Sequence, residues 1–202
     1  WRVLSSKMLT MFILTMRGTP YYYQGDELGM VNIKLDKIDD YRDIETINWY
    51  NLIIKEGGDP AQLLESHKIT GRDNGRTPIQ WDNSPNAGFS TGTPWLKVNP
   101  NYPSINAAAQ ENDIDSTLHF FRKMVALRKS TPALIYGKYT LLDPNNPDVY
   151  AYTREWEGQK LLILLNFKPT EAVVHTGLDL SNAQVLLHNY QESTISETLQ
   201  PY

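Results

Sequence analysis

The chain has 202 residues, of which 41% are hydrophobic and 21% charged, with a net charge of −4 and no cysteine. No basic cluster is dense enough to track a phosphate backbone, and no apolar run approaches the roughly 20 residues that span a bilayer, so neither nucleic acid nor a membrane is an expected partner. The missing cysteines exclude disulfides, thiolate chemistry and Cys-ligated zinc, and they fit a reducing, cytoplasmic setting.

Val3–Met16 is apolar and free of glycine and proline, which predicts a buried helix. It lacks the basic flank and cleavage site of a secretory signal. Gly18-Thr-Pro-Tyr-Tyr-Tyr-Gln-Gly-Asp-Glu-Leu-Gly29 then reads as a strand that ends at a site. Pro20 biases Thr19 away from helix, Tyr21–Gln24 continue an extended run, and Gly25 breaks it just before Asp26 and Glu27. In parallel α/β folds ligands gather at that strand end. Helix and strand together form one βα unit, and one unit closes no barrel. The chain is therefore expected to be the tail of a larger protein.

Residues 31–112 are crowded with turn formers, and an excursion of that length is commonly a lid or binding loop. Short helices are expected within it at 43–56 and 60–67, the second with Asp59 as cap and Pro60 at its first position. An amphipathic helix follows at 115–129, capped by Asp115 or Ser116, with Leu118, Phe121, Val125 and Arg128 on one stripe and a stop at Thr131-Pro132. From Gly137 the pattern becomes strands, at 137–142, 148–156, 160–167, 171–176 and 184–190, with a turn at Glu157-Gly158. The continuous apolar run Leu161–Phe167 predicts a central strand, and the close spacing predicts an antiparallel sandwich or Greek key.

The residues that stand out chemically are Arg72 and Arg76 in Gly71-Arg-Asp-Asn-Gly-Arg-Thr-Pro-Ile-Gln-Trp-Asp82. A guanidinium offers a planar fork of donors suited to paired sugar hydroxyls or a carboxylate. The same spacing also suits two arginines that lock a long loop through Asp73, Asp82 or other acids. Asp26 and Glu27, as chain neighbours, point in different directions and do not make a pair of catalytic acids; bonding of nearby loops or of an arginine is expected instead. The histidines at 67, 119, 175 and 188 are scattered, so no metal set or triad is expected. No glycine-rich phosphate loop is present, and no cofactor is expected. Trp81 and Trp95 would stack on sugar faces or anchor the loop.

These residues in this order resemble the α-amylase superfamily, glycoside hydrolase family 13. Gly18–Met30 is similar to its last barrel strand. Asp40–Asn48, Gly71–Trp81, Asn86–Ser90 and Pro94-Trp95 narrow the likeness to the α-glucosidase branch, with an oligo-1,6-glucosidase (isomaltase) pattern and trehalose-6-phosphate hydrolase beside it. Asn99–Tyr102, Ile105–Gln110, Phe121–Met124, Leu127–Lys129, Val149–Arg154 and Leu161–Phe167 continue it over nearly the whole chain.

The resemblance implies an α/β plus all-β fold: the last β/α portion of a (β/α)8 TIM barrel over residues 1–132, then a C-terminal antiparallel β-sandwich (Greek key) domain, incomplete, over 133–202. It implies a small oligosaccharide substrate with α-1,6 or α-1,4 linkages, and retaining hydrolysis by an Asp nucleophile and a Glu acid/base. It also implies that Arg72 reaches the sugar at the cleavage subsite while Arg76 shapes the same pocket. The family's Asp-Gly-Phe-Arg-x-Asp and Asn-His-Asp contexts do not occur here, so no catalytic residue is assigned and the chain by itself is expected to be inactive. A non-catalytic sugar-binding or ancillary protein of the same fold is the alternative. Cut from its neighbours, a barrel fragment exposes apolar faces and strand edges. Residues 1–30 are thus expected to associate with another copy, or to pack on the β domain in a way the enzymes do not.

Overall fold

The apolar run at the N-terminus is helical, with α1 spanning Arg2–Thr15 in a computed structural model that describes residues 1–190 and 195–202. The described chain divides into two units, one made of Trp1–Tyr21 and Asp115–Tyr202, the other of Tyr22–Ile114.

In the first unit α1 lies against the sheet. Met8 packs with Tyr152, Ile163 and Leu165, flanked by Met11, Phe12 and Leu161, and the Thr15 hydroxyl meets that of Tyr152. Residues of α1 thus dock on the β domain. Farther along, Leu14 joins Met124 and Leu134. Helix α5, Thr117–Ser130, begins at Ser116, whose hydroxyl accepts from the His119 amide at 3.2 Å. Its buried face is Leu118, Phe120, Met124 and Arg128. The stripe is rotated from the expected one: Phe121 and Val125 are only half-buried, because Phe120 and Met124 take the inner face and Met124 seats against Leu14. Pro132 stops the helix and opens α6, Pro132–Tyr136.

Three strands follow in an antiparallel meander: β1 Lys138–Leu142, β2 Val149–Trp156 and β3 Gln159–Asn166. Thr140 pairs with Thr153, and Tyr152 with Ile163. The β2–β3 turn is Glu157-Gly158, both at positive φ (47° and 82°), as the twist of a two-residue hairpin requires. Among the described residues β3 is an edge strand, not the central one its apolar run suggested. Its run is explained by burial on both faces: Ile163 and Leu165 face the Met8 cluster, while Leu164 packs on Val149, Ala151, Ala172 and Val174.

The expected strand at 171–176 shortens to β4, Ala172–Val173, which pairs with β5, Thr198–Leu199. Residues 184–190 form no strand. They line a cavity of about 1010 Å³ beside β3 and α1. Alternation of side chains supplies a face but not a ladder partner, and β4 takes its partner from Thr198–Leu199.

The turn-rich unit carries α2, Ile44–Lys55, α3, Ala61–Thr70, and α4, Ala107–Glu111. Pro60 is itself the N-cap of α3, while the Asp59 carboxylate accepts from the Ala61 amide at 2.9 Å, one residue off the expected arrangement. Residues 19–23 are assigned to no strand. A parallel strand draws its hydrogen bonds from segments remote in the chain, and no described residues supply them. The break at Gly25 is as expected: Gly25 and Gly29 adopt φ of 94° and 61° around a 3-10 turn, Asp26–Leu28. The Leu28 carbonyl accepts from the buried Gln110 amide at 2.7 Å.

Candidate functional site

Asp43 organises the polar residues of the turn-rich unit. It caps α2, where one carboxylate oxygen, Oδ2, accepts from the Thr46 amide at 3.2 Å and the Thr46 hydroxyl at 3.0 Å. Its other oxygen, Oδ1, lies 3.1 Å from Arg72 Nε and 3.3 Å from Arg76 Nη1. Arg72 reaches Glu45 as well through Nη2. Asp73 completes the ring from the other side: its buried Oδ2 accepts from the amides of Arg42 at 2.7 Å and Asp43 at 2.9 Å, and its Oδ1 lies 3.9 Å from Arg76 Nη1. Each carboxylate thus holds the segment that carries the other.

The local conformation on each side of this cluster follows from nearby residues. Asp43 precedes a helical run and sits three residues before Thr46, the spacing of an N-cap. Gly71–Thr77 winds as a 3-10 turn over Arg72–Arg76, which brings both guanidiniums to the same side of Asp43. Burial pushes the Asp43 carboxyl up, but the Thr46 hydroxyl and amide together with the Arg72 guanidinium outweigh it, and the group ends below the usual carboxylate range. The Asp43 side chain is 6% exposed against 52% for Arg72 and 38% for Arg76. The acid is inside and the cations face out.

The expected lock through Asp73 is therefore present but secondary, and Asp43 is the main partner. Among the described residues Asp82 takes no arginine; it accepts from the Ser84 amide at 2.8 Å. Glu27 turns back on its own loop, where Oε2 accepts from the Gly25 amide at 2.8 Å. Burial raises the neighbouring Asp26 carboxyl, and the Glu27 charge adds to the rise. Trp81 and Trp95 are half-exposed. The Tyr23 ring lies against Gly75, within 3.5 Å of where a side chain on that glycine would begin, so an exposed aromatic face stands beside the arginine turn. His67 is engaged with the Thr46 hydroxyl at 2.8 Å. Reading the sequence missed Asp43 and Glu45. The signal was available in the capping pattern Asp43-x-x-Thr46, with an acid two residues after the cap.

The helix, the polar turn of paired arginines and acids, and the antiparallel β domain fall within two domain families of carbohydrate-active enzymes. The chain belongs to the α-amylase family of glycoside hydrolases: residues 1–137 match the alpha amylase catalytic domain, and residues 139–202 the C-terminal domain of maltogenic amylase. An oligo-1,6-glucosidase of Bacillus cereus is 43% identical over 100% of this chain and 37% of its own length. A trehalose-6-phosphate hydrolase of Escherichia coli is 41% identical over 96% of this chain and 35% of its own. Among solved structures, a trehalose-6-phosphate hydrolase of Bacillus licheniformis superposes with a TM-score of 0.90 at 40% identity, over 100% of this chain and 38% of that one. The chain thus spans a little over a third of the length of these relatives. The docking of α1 on β2 and β3 lies within that superposition, so it is the enzymes' own arrangement and not the departure expected for residues 1–30.

Proposed function

We propose that this chain belongs to a cytoplasmic, retaining α-glucosidase that hydrolyses α-1,6 or α-1,4 bonds of short glucosides. In this reading residues 1–132 end the catalytic barrel, residues 133–202 belong to the C-terminal β domain, and the nucleophile and acid/base lie outside these 202 residues. Arg72 and Arg76 bind substrate: guanidinium donors pair with adjacent sugar hydroxyls and orient the glycosidic bond for double displacement. The observation that carries the reading is the outward-facing arginine pair anchored on buried Asp43, in a chain of a family whose relatives include oligo-1,6-glucosidases.

The test compares the product of the full reading frame that encodes this chain with the 202 residues alone, on p-nitrophenyl α-glucoside and isomaltose. Hydrolysis with retained anomeric configuration by the first and none by the second is expected. Turnover by the 202 residues alone overturns the division of labour, and no turnover by either favours an ancillary, non-catalytic protein. The trehalose-6-phosphate hydrolases among the relatives support a second substrate, trehalose-6-phosphate, and the same assay with that compound decides between them. Taken by itself the chain exposes Tyr21, Ile44, Trp49 and Ile69, which supports self-association. A monodisperse monomer in light scattering counts against that.

A further inference from the structure

We infer that Asp43 is the positioning residue of the arginine pair: one buried carboxylate sets where both guanidiniums present their remaining donors. The inference rests on the sugar-binding role proposed above. Arg72 spends Nε on Asp43 and Nη2 on Asp43 and Glu45, while Arg76 spends Nη1 on Asp43 and lies 3.9 Å from Asp73. Arg72 Nη1 and Arg76 Nε and Nη2 have no partner among the described residues. Those are the donors left for ligand oxygens, and their directions are fixed once the engaged edge of each planar fork is fixed.

Asp43 does not follow the arginines; they follow it. Its backbone amide is held by Asp73, its Oδ2 by Thr46, and the Thr46 hydroxyl is in turn 2.8 Å from His67 Nδ1. A carboxylate tied at that many points has one place to be. Two long side chains that would otherwise sample many rotamers are thereby ordered before a sugar arrives, so less freedom is lost on binding. The competing role, that Asp43 is only a helix cap, makes a different forecast. Asparagine caps a helix about as well as aspartate but carries no charge to hold two guanidiniums. Asp43→Asn therefore separates the two roles.

The experiment uses the product of the full reading frame, with p-nitrophenyl α-glucoside as substrate and the arginine Nε–H signals read by NMR. In Asp43→Asn, KM is expected to rise about tenfold with kcat nearly unchanged, the signature of binding lost equally in ground and transition states. In the triple variant Asp43→Asn/Arg72→Ala/Arg76→Ala, KM should be no worse than in Arg72→Ala/Arg76→Ala, because with both guanidiniums gone Asp43 has nothing left to position. The Arg72 Nε–H signal, displaced and slow to exchange in the unmutated protein, should move and exchange faster in Asp43→Asn. An unchanged KM together with an unmoved Nε–H signal in Asp43→Asn overturns the inference. So does a fast-exchanging Arg72 Nε–H in the unmutated protein, a measurement that needs no Asp43 variant to fold. An unchanged KM in Arg72→Ala overturns the sugar-binding reading instead, and the Nε–H signal, which needs no substrate, tells that failure apart from the first.

Discussion

Arginine serves two opposite purposes in the two units of this molecule. Arg72 and Arg76 are half-exposed and meet carboxylates. Arg128 and Arg154 are buried and meet carbonyls: Arg128 donates to the carbonyls of Leu14, Met16, Gly18 and Leu134, and Arg154 to those of Thr15, Ile135 and Gly137. The last carbonyls of a helix have no partner within it. Those at the end of α1, from Leu14 to Met16, are taken up by two guanidiniums that come from α5 and β2. Burial lowers both arginines below the usual guanidinium value, and desolvation is the leading cause in each case. The comparison teaches which cations are spent. The buried pair spends its guanidiniums on backbone carbonyls inside the protein, while the paired, outward-facing arginines keep donors in reserve.

The most disruptive test of that contrast is Arg154→Lys. An ammonium cannot span three carbonyls that a planar fork reaches, and stranding them should cost about 3 kcal/mol or more, read as a lower urea midpoint. Gly88→Ala should come next, at about 2 kcal/mol, because Gly88 has φ +66° and an added Cβ would lie 2.7 Å from both Asp82 carboxylate oxygens. It loosens the turn-rich unit without touching either arginine of the outward pair, so it is the control for non-specific damage. Arg76→Lys should be mild, under about 1 kcal/mol by the same urea measurement, since a point cation can still sit beside Asp43 in a half-solvated position. A cost as large as that of Arg154→Lys would erase the distinction between the two pairs. The smallest signal is acid sensitivity. The folded Asp43 carboxyl lies below its unfolded value, so its contribution is fully present above about pH 4 and is lost as pH falls through the lower, folded value. Urea midpoints between pH 5 and pH 3 should fall less steeply in Asp43→Asn than in the unmutated protein.

Much of this architecture was legible because its determinants are local. The α1 and α5 helices, Ser116 as a cap, the Glu157-Gly158 turn and the first three strands follow from apolar periodicity and turn chemistry within a few residues. The pieces that were misjudged depend on partners far along the chain. Residues 19–23 needed neighbouring strands, residues 184–190 needed an edge to pair with, and β3 owed its apolar run to packing on both faces, not to a central place. Of the candidate site, Arg72 and Arg76 were visible as a motif. Their anchor was not, because Asp43 lies some thirty residues upstream and its pairing is set by the fold of the loop between. The turn at Asn86 and Ala87, both at positive φ near 57°, was equally hidden, since nothing in an alanine announces a left-handed backbone.

Arg154 also feels the charges of Arg128 and Arg17, both of which oppose its own. Dissolved ions therefore reach the two arginine pairs unequally. Raising ionic strength weakens interactions between charges near the surface and screens buried ones much less. Added potassium chloride should slacken the half-exposed Asp43 cluster and leave the buried cations around the end of α1 nearly untouched.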